Sequence, residues 1–145
     1  MNWEPVENYF RDFLLSLDIH GVTKDDISMP NKVFQPAGKR LWFEISTGCL
    51  DSVIVTERTV IYPAEVNLIV CVPINTGTQK ANDIASLMQR QFSQSSIRTL
   101  TGFCISEPGK RIKVYINKAV QLAGYAFSDA YKINVRVSID TWEED

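Results

Sequence analysis

The chain has 145 residues, enough for one ordinary domain that buries roughly 70% of the surface its unfolded form exposes. With 45% hydrophobic and 22% charged residues, its composition is that of a folded globular domain and excludes a disordered or low-complexity chain. Lys and Arg number 15 against 17 Asp and Glu, a net charge of -2 with no dense basic block, so nucleic acid is a poor first candidate for a partner.

Val6, Phe10, Phe13, Leu14 and Leu17 recur at helical spacing and predict an amphipathic helix over residues 3–17. Asn2 is available as its cap, Pro5 falls early enough to be tolerated, and His20-Gly21 is the expected stop. Residues 22–40 hold two prolines, one glycine, Asp25-Asp26 and Asn31-Lys32 without periodicity, which predicts a long, mostly irregular connection. Loops of that length tend either to carry function or to be mobile, which makes this one a candidate contact arm.

Leu41 to Ser46 is rich in strand formers, and Thr47-Gly48 with Asp51-Ser52 supplies turn chemistry before a second strand near Val53 to Thr56. A third strand is expected over Thr59 to Tyr62, interrupted or shifted at Pro63, which cannot donate to a sheet ladder. Val66 to Val72 is nearly continuous in apolar residues and should be a central strand covered on both faces. After the turn Pro73 to Gly77, Thr78 can cap a helix from Gln79 to Ser93. Its apolar stripe is Ala81, Ile84, Ala85, Met88 and Phe92, with Lys80, Asn82, Asp83, Gln89 and Arg90 facing away.

Beyond the polar patch Ser93 to Ser96, strands are expected over Leu100 to Glu107, Arg111 to Asn117, Ala119 to Ala126 and Tyr131 to Thr141, with Pro108-Gly109 suited to a turn. The last strand alternates Tyr131, Ile133, Val135, Val137 and Ile139 with polar residues, so one face is buried and one is wet. The order reads as a single α+β domain over residues 1–145, a mostly antiparallel or mixed sheet with two main helices packed on one face.

Chemistry is sparse. The only histidine, His20, sits at a predicted helix end, and Cys49, Cys71 and Cys104 are scattered without a metal-ligand spacing. Cys71 and Cys104 lie in apolar runs and read as small hydrophobes. Neither a nucleophile-base pair nor a cofactor fingerprint is visible, which predicts a protein that is not an enzyme and needs no cofactor or metal. A thiol-dependent enzyme using Cys49 or Cys104 is the remote alternative. Gly38-Lys39-Arg40 and Gly109-Lys110-Arg111 place two cations after a glycine but lack the remainder of a P-loop; they read as exposed turns able to touch a partner or passing DNA. Thr76-Gly77 at a helix start could meet an anion, and is more simply a turn and cap. Trp3 and Trp142 are expected to pack against the domain, and Glu143-Glu144-Asp145 to form a solvated acidic end. The first five residues lack a signal-peptide pattern, and no apolar run approaches the ~20 residues of a membrane span, so no membrane association is expected.

A family resemblance rests on Trp42 to Ile45, Glu57-Arg58-Thr59, Val66 to Val72, and Pro73 to Gly77 followed by Ala81, Ile84-Ala85 and Phe92. These segments, in this order, resemble the tail terminator or tail completion proteins of long-tailed bacteriophages and prophages, including their phage-related domain-of-unknown-function group. Ala126 to Tyr131 before an alternating last strand is similar too. Tyr62-Pro63 and Ala130, after Asp129, depart from it, standing where that pattern has glycine. The resemblance implies a virion structural protein, made in the bacterial host cytoplasm, that forms a ring, a hexamer in the better known relatives. Such a ring binds the last ring of tail tube protein, ends polymerisation and offers a joining surface to the head-tail connector, with DNA passing through its lumen. The candidate interface residues are Lys39, Arg40, Arg58, Thr76, Gly77, Lys110 and Arg111. A head-tail connector or neck subunit is the alternative role.

Overall fold

The computed structural model describes residues 2–19, 21–50, 52–57, 59–93, 97–100 and 111–144. Helix α1 spans Glu4–Ser16, and the Asn2 Oδ1 accepts a hydrogen bond from the Glu4 amide at 3.0 Å, satisfying one of the donors that a helix start leaves open. The helix ends earlier than His20-Gly21 suggests. Asp18 takes the left-handed conformation just after it, with φ 53°, a conformation that a short polar side chain tolerates. His20 lies outside the described residues.

The 22–40 connection contains a 3-10 turn over Lys24–Asp26 and a two-residue strand, β1, over Ile27–Ser28; the remainder is irregular, as expected. Strand β2 covers Trp42–Cys49, so Thr47-Gly48 belongs to the strand and the chain turns only after it. Strand β3, Val53–Ile54, pairs with the start of β4, Val60–Pro73. Two expected strands are thus one. Pro63 does not interrupt β4 because its carbonyl accepts from the Leu50 amide at 2.9 Å. Its nitrogen faces that same side, opposite the gap between β2 and β3, where no ladder hydrogen bond is required.

Helix α2 spans Gln79–Ser93, as the sequence predicts, and every residue of its apolar stripe is buried. Asn82 and Gln89, expected to face away, are half-buried instead. The Gln89 Nε2 donates to the Ala119 carbonyl at 3.3 Å, and Ser86 donates to Gln121 at 3.1 Å, forming a polar seam where the helix borders the sheet. Strand β5 is Ile97–Leu100; the expected strand beyond it and the Pro108-Gly109 turn lie outside the described residues. Strand β6, Arg111–Gln121, runs through the expected break by a bulge between Ile116 and Lys118. Strand β7, Tyr125–Phe127, turns at Ser128 into β8, Ala130–Glu144. Glu143 and Glu144, expected as a solvated end, are the last residues of β8, opposite Ile112 and Arg111.

The sheet follows the order β1-β2-β4-β8-β6-β5, with β3 extending it along β4 and β7 along β8. All its pairings are antiparallel except β1 on β2. Both helices cover one face, giving the α+β architecture. Phe43, Val66, Leu68, Val70, Ile133, Val135 and Val137 point into that layer and meet Val6, Phe10 and Leu14 of α1 and Met88 and Phe92 of α2. Phe92 joins the two helices: its ring centroid lies 4.2 Å from that of Phe13 and 5.6 Å from that of Phe10. Each such aromatic or branched side chain contributes about 1.5–3 kcal/mol by burial, which is what holds two short helices to the sheet. Trp3 packs half-buried at the margin of this core.

Candidate functional site

Among the described residues, no helix covers the opposite face of the sheet. The outward residues of that face on the neighbouring strands β2, β4 and β8 are largely polar and tied across the strands. The Asn134 Nδ2 donates to the Asn67 Oδ1 at 2.8 Å, Asn67 donates to Ser46 at 3.4 Å, and Arg136 lies 3.6 Å from Glu65. The strongest tie is diagonal. Cys71 stands opposite both Trp42 and Lys132, and Ile69 opposite both Glu44 and Asn134, so Lys132 reaches over β4 to Glu44. Its ammonium contacts both carboxylate oxygens, at 2.9 and 3.0 Å, with side-chain exposures of 14% and 29%. Burial alone would lower the Lys132 pKa, but the hydrogen bond and charge of Glu44 outweigh it and hold it above its ordinary value.

Beneath this pair, Cys71 is buried with Trp42 and Ala130, and Phe34 and Ile69 pack around them as a small second core. Burial pushes the Cys71 thiol up to about 12, with the Glu44 charge adding to the shift and Lys132 opposing it. Burial also raises the exposed Cys49 thiol, which works against thiolate chemistry there at neutral pH. Cys104 lies outside the described residues. Among the described residues, no group of three or more His, Cys, Asp or Glu could hold a metal ion, and no helix is long and apolar enough to cross a membrane.

The predicted arm folds across the end of this face. Asp26 fastens it: its carboxylate accepts the Lys39 ammonium at 2.9 Å and the Thr23 amide at 2.8 Å. Burial pushes the Asp26 pKa up, but these bonds and the Lys39 charge overcome that and leave it below the ordinary carboxylate range. Lys39 also stands 5.7 Å from the centre of the Phe34 ring, and Lys132 stands 5.3 Å from that of Phe127. Between arm and sheet lies an open cleft of about 500 Å³, walled by Phe34, Pro36, Trp42 and Phe127, with Lys39, Asp129 and the Glu44–Lys132 pair as its charged groups. A mostly apolar concavity with a few convergent polar groups suits a side chain or small ligand.

The predicted interface residues do not form one surface. Lys39 lines the cleft, with exposed Arg40 next to it. Thr76 and Gly77 lie in the turn after β4 at the same end of the sheet, where the Thr76 hydroxyl donates to the Pro73 carbonyl at 2.6 Å and Gly77 holds φ +86°. Arg111 is exposed at the start of β6, opposite Glu144. That is the far end of β8, about 45 Å from Ala130 at strand spacing. Arg58 and Lys110 lie outside the described residues. Sequence reasoning missed Phe34, Trp42, Glu44, Phe127 and Lys132 as a group. The signal available was a Glu and a Lys at outward positions of two strands, which becomes a pair only once β4 is known to lie between them.

No family model matches the chain, and no curated protein matches it. Six chains of solved structures match it. One of them superposes with a TM-score of 0.62 over 97% of this chain and 96% of its own length, at 14% sequence identity. At that identity the likeness establishes the fold alone.

Proposed function

We propose that this chain is a ring-forming structural subunit of the tail terminator type, which caps a tube of another protein by geometry and binding energy. The resemblance from Leu41 to Phe92 supports this reading, and those residues make up β2, β4 and α2, the middle of the fold. The observation that carries it is the unequal pair of sheet flanks. On one side β1 covers only Phe43 and Glu44 of β2, so from Ile45 to Cys49 the outer edge has no strand partner among the described residues. On the other side, among the described residues, the sheet ends in the four-residue β5. Two different edges on opposite sides allow a head-to-tail contact, and a head-to-tail contact closes into a ring when its rotation permits. Candidate contact residues at both ends of the strands, Lys39 and Thr76 at one and Arg111 at the other, suit a subunit with one partner above and one below.

Light-scattering mass over a wide concentration range, with electron micrographs of the same sample, tests the ring. A closed ring supports the reading. A strict monomer that also fails to co-sediment with tail tube protein refutes it. A ring that binds portal-side connector protein and ignores tail tubes replaces the terminator role with the neck role.

A further inference from the structure

The arm has a second cleft on its other flank. It occupies about 560 Å³ between the arm, α1 and the 3-10 turn, and its charged lining is Arg11, Lys24, Lys32 and Lys39 against Asp25 alone. Arg11 is held by Asp12 at 3.1 Å and Lys39 by Asp26 at 2.9 Å. Lys24 and Lys32 are exposed and make no ion pair among the described residues. Val33, at the lip, is 92% exposed. Phe34 and Lys39 line this cleft and the aromatic one alike, so the two meet at the arm and form one path across this end of the molecule.

Along that path, unpaired ammonium groups come first and an apolar pocket follows, with the 63% exposed Phe127 as its outer wall. Charge complementarity selects an anionic occupant. The apolar lip and pocket then favour a peptide over a phosphate backbone, which has no side chain to bury there. The chain's own acidic residues Glu143 and Glu144 cannot fill it, because they are fixed in β8 at the far end of the sheet, about 45 Å away at strand spacing.

We propose that this end of the molecule binds an extended acidic segment of a partner protein, its carboxylates on Lys24 and Lys32 and a bulky apolar side chain in the cleft walled by Phe34 and Phe127. The proposal does not rest on ring formation, and it is tested on the isolated chain. The probe is a fluorescein-labelled peptide of about ten residues, roughly 33 Å when extended, alternating Glu with Leu and Phe. The comparison probes are the same peptide with Lys in place of Glu and a single-stranded oligonucleotide of similar length. Fluorescence anisotropy should saturate with the acidic peptide only. Lys24→Glu with Lys32→Glu should weaken binding by about tenfold or more, Phe127→Ser by a similar factor, and Lys118→Glu, on the exposed bulge of β6, by less than about twofold. All four positions are exposed, and far-UV circular dichroism confirms that each variant keeps its fold. Failure of the acidic peptide to saturate below about 1 mM, equal binding of the basic peptide, or affinity unchanged by the charge reversals would overturn the proposal. Oligonucleotide binding of equal strength that ignores Phe127→Ser would overturn it in favour of a general polyanion surface.

Discussion

Cys71 should make this protein unusually sensitive to alkali, and the effect can be sized from its surroundings. Its thiol is fully buried under the Glu44–Lys132 pair and is held at about 12, against 9.0 for a free thiol. The folded value lies above the unfolded one, so the contribution to stability is complete below the unfolded value and is lost as pH rises toward the folded value. At about pH 10.5 the unfolded chain has released this proton and the folded chain has not, which costs about 2 kcal/mol of stability. Urea unfolding of the wild type and Cys71→Ala, followed by far-UV circular dichroism under reducing conditions from about pH 7.5 to 10.5, isolates that amount, because other titrating groups cancel in the difference. Cys71→Ala begins less stable, by a constant cost for the small cavity, and should lose about 2 kcal/mol less across the range. Two parallel stability curves would show that the thiol titrates alike in both states and would refute the reasoning.

Two further changes follow from other contacts. A methyl group at Gly124 would overlap the phenol of Tyr131, so Gly124→Ala should destabilise the fold by about 1–3 kcal/mol in urea, and a smaller residue at position 131 should recover part of the loss. Asp26→Asn removes the charge that holds Lys39, and amide hydrogen exchange in residues 29–40 should accelerate while that of β4 and β8 is unchanged. Because the Asp26 pKa is depressed, wild-type protection of the arm should persist above the ordinary carboxylate value of about 3.9 and disappear as pH falls through the lower folded value.

Much of the fold is legible in the residues because its periodicities are local. The stripe from Ala81 to Phe92 and the alternation from Tyr131 to Ile139 each declare one buried face without reference to any partner. Boundaries fail where tertiary context decides. Pro63 looks like a break until its neighbour proves to be a gap, and Asn117 looks like an end until a bulge carries β6 past it. Asn82 and Gln89 look solvated until β6 supplies their partners. The cleft was not legible at all, because Phe34, Glu44, Phe127 and Lys132 come from separate stretches and meet only through the strand order. The arm was legible as an interruption of periodicity, whereas its fastening by Asp26 depends on a hydrogen-bond geometry that spacing does not encode.

The pairing of β4 with β8 also governs how the chain reaches this state. Tyr62 and Thr141 meet across 79 positions of sequence, so β4 finds its second neighbour only after nearly everything between them has been synthesised and gathered. Closing so long a loop before any contact rewards it is slow, and folding on a scale of milliseconds to seconds is expected for such a topology. Until then the run from Val66 to Val72, apolar but for Asn67 and free of charge, is open along one side to any other extended chain. The longer that strand waits for its partner, the more it is exposed to such mispairing.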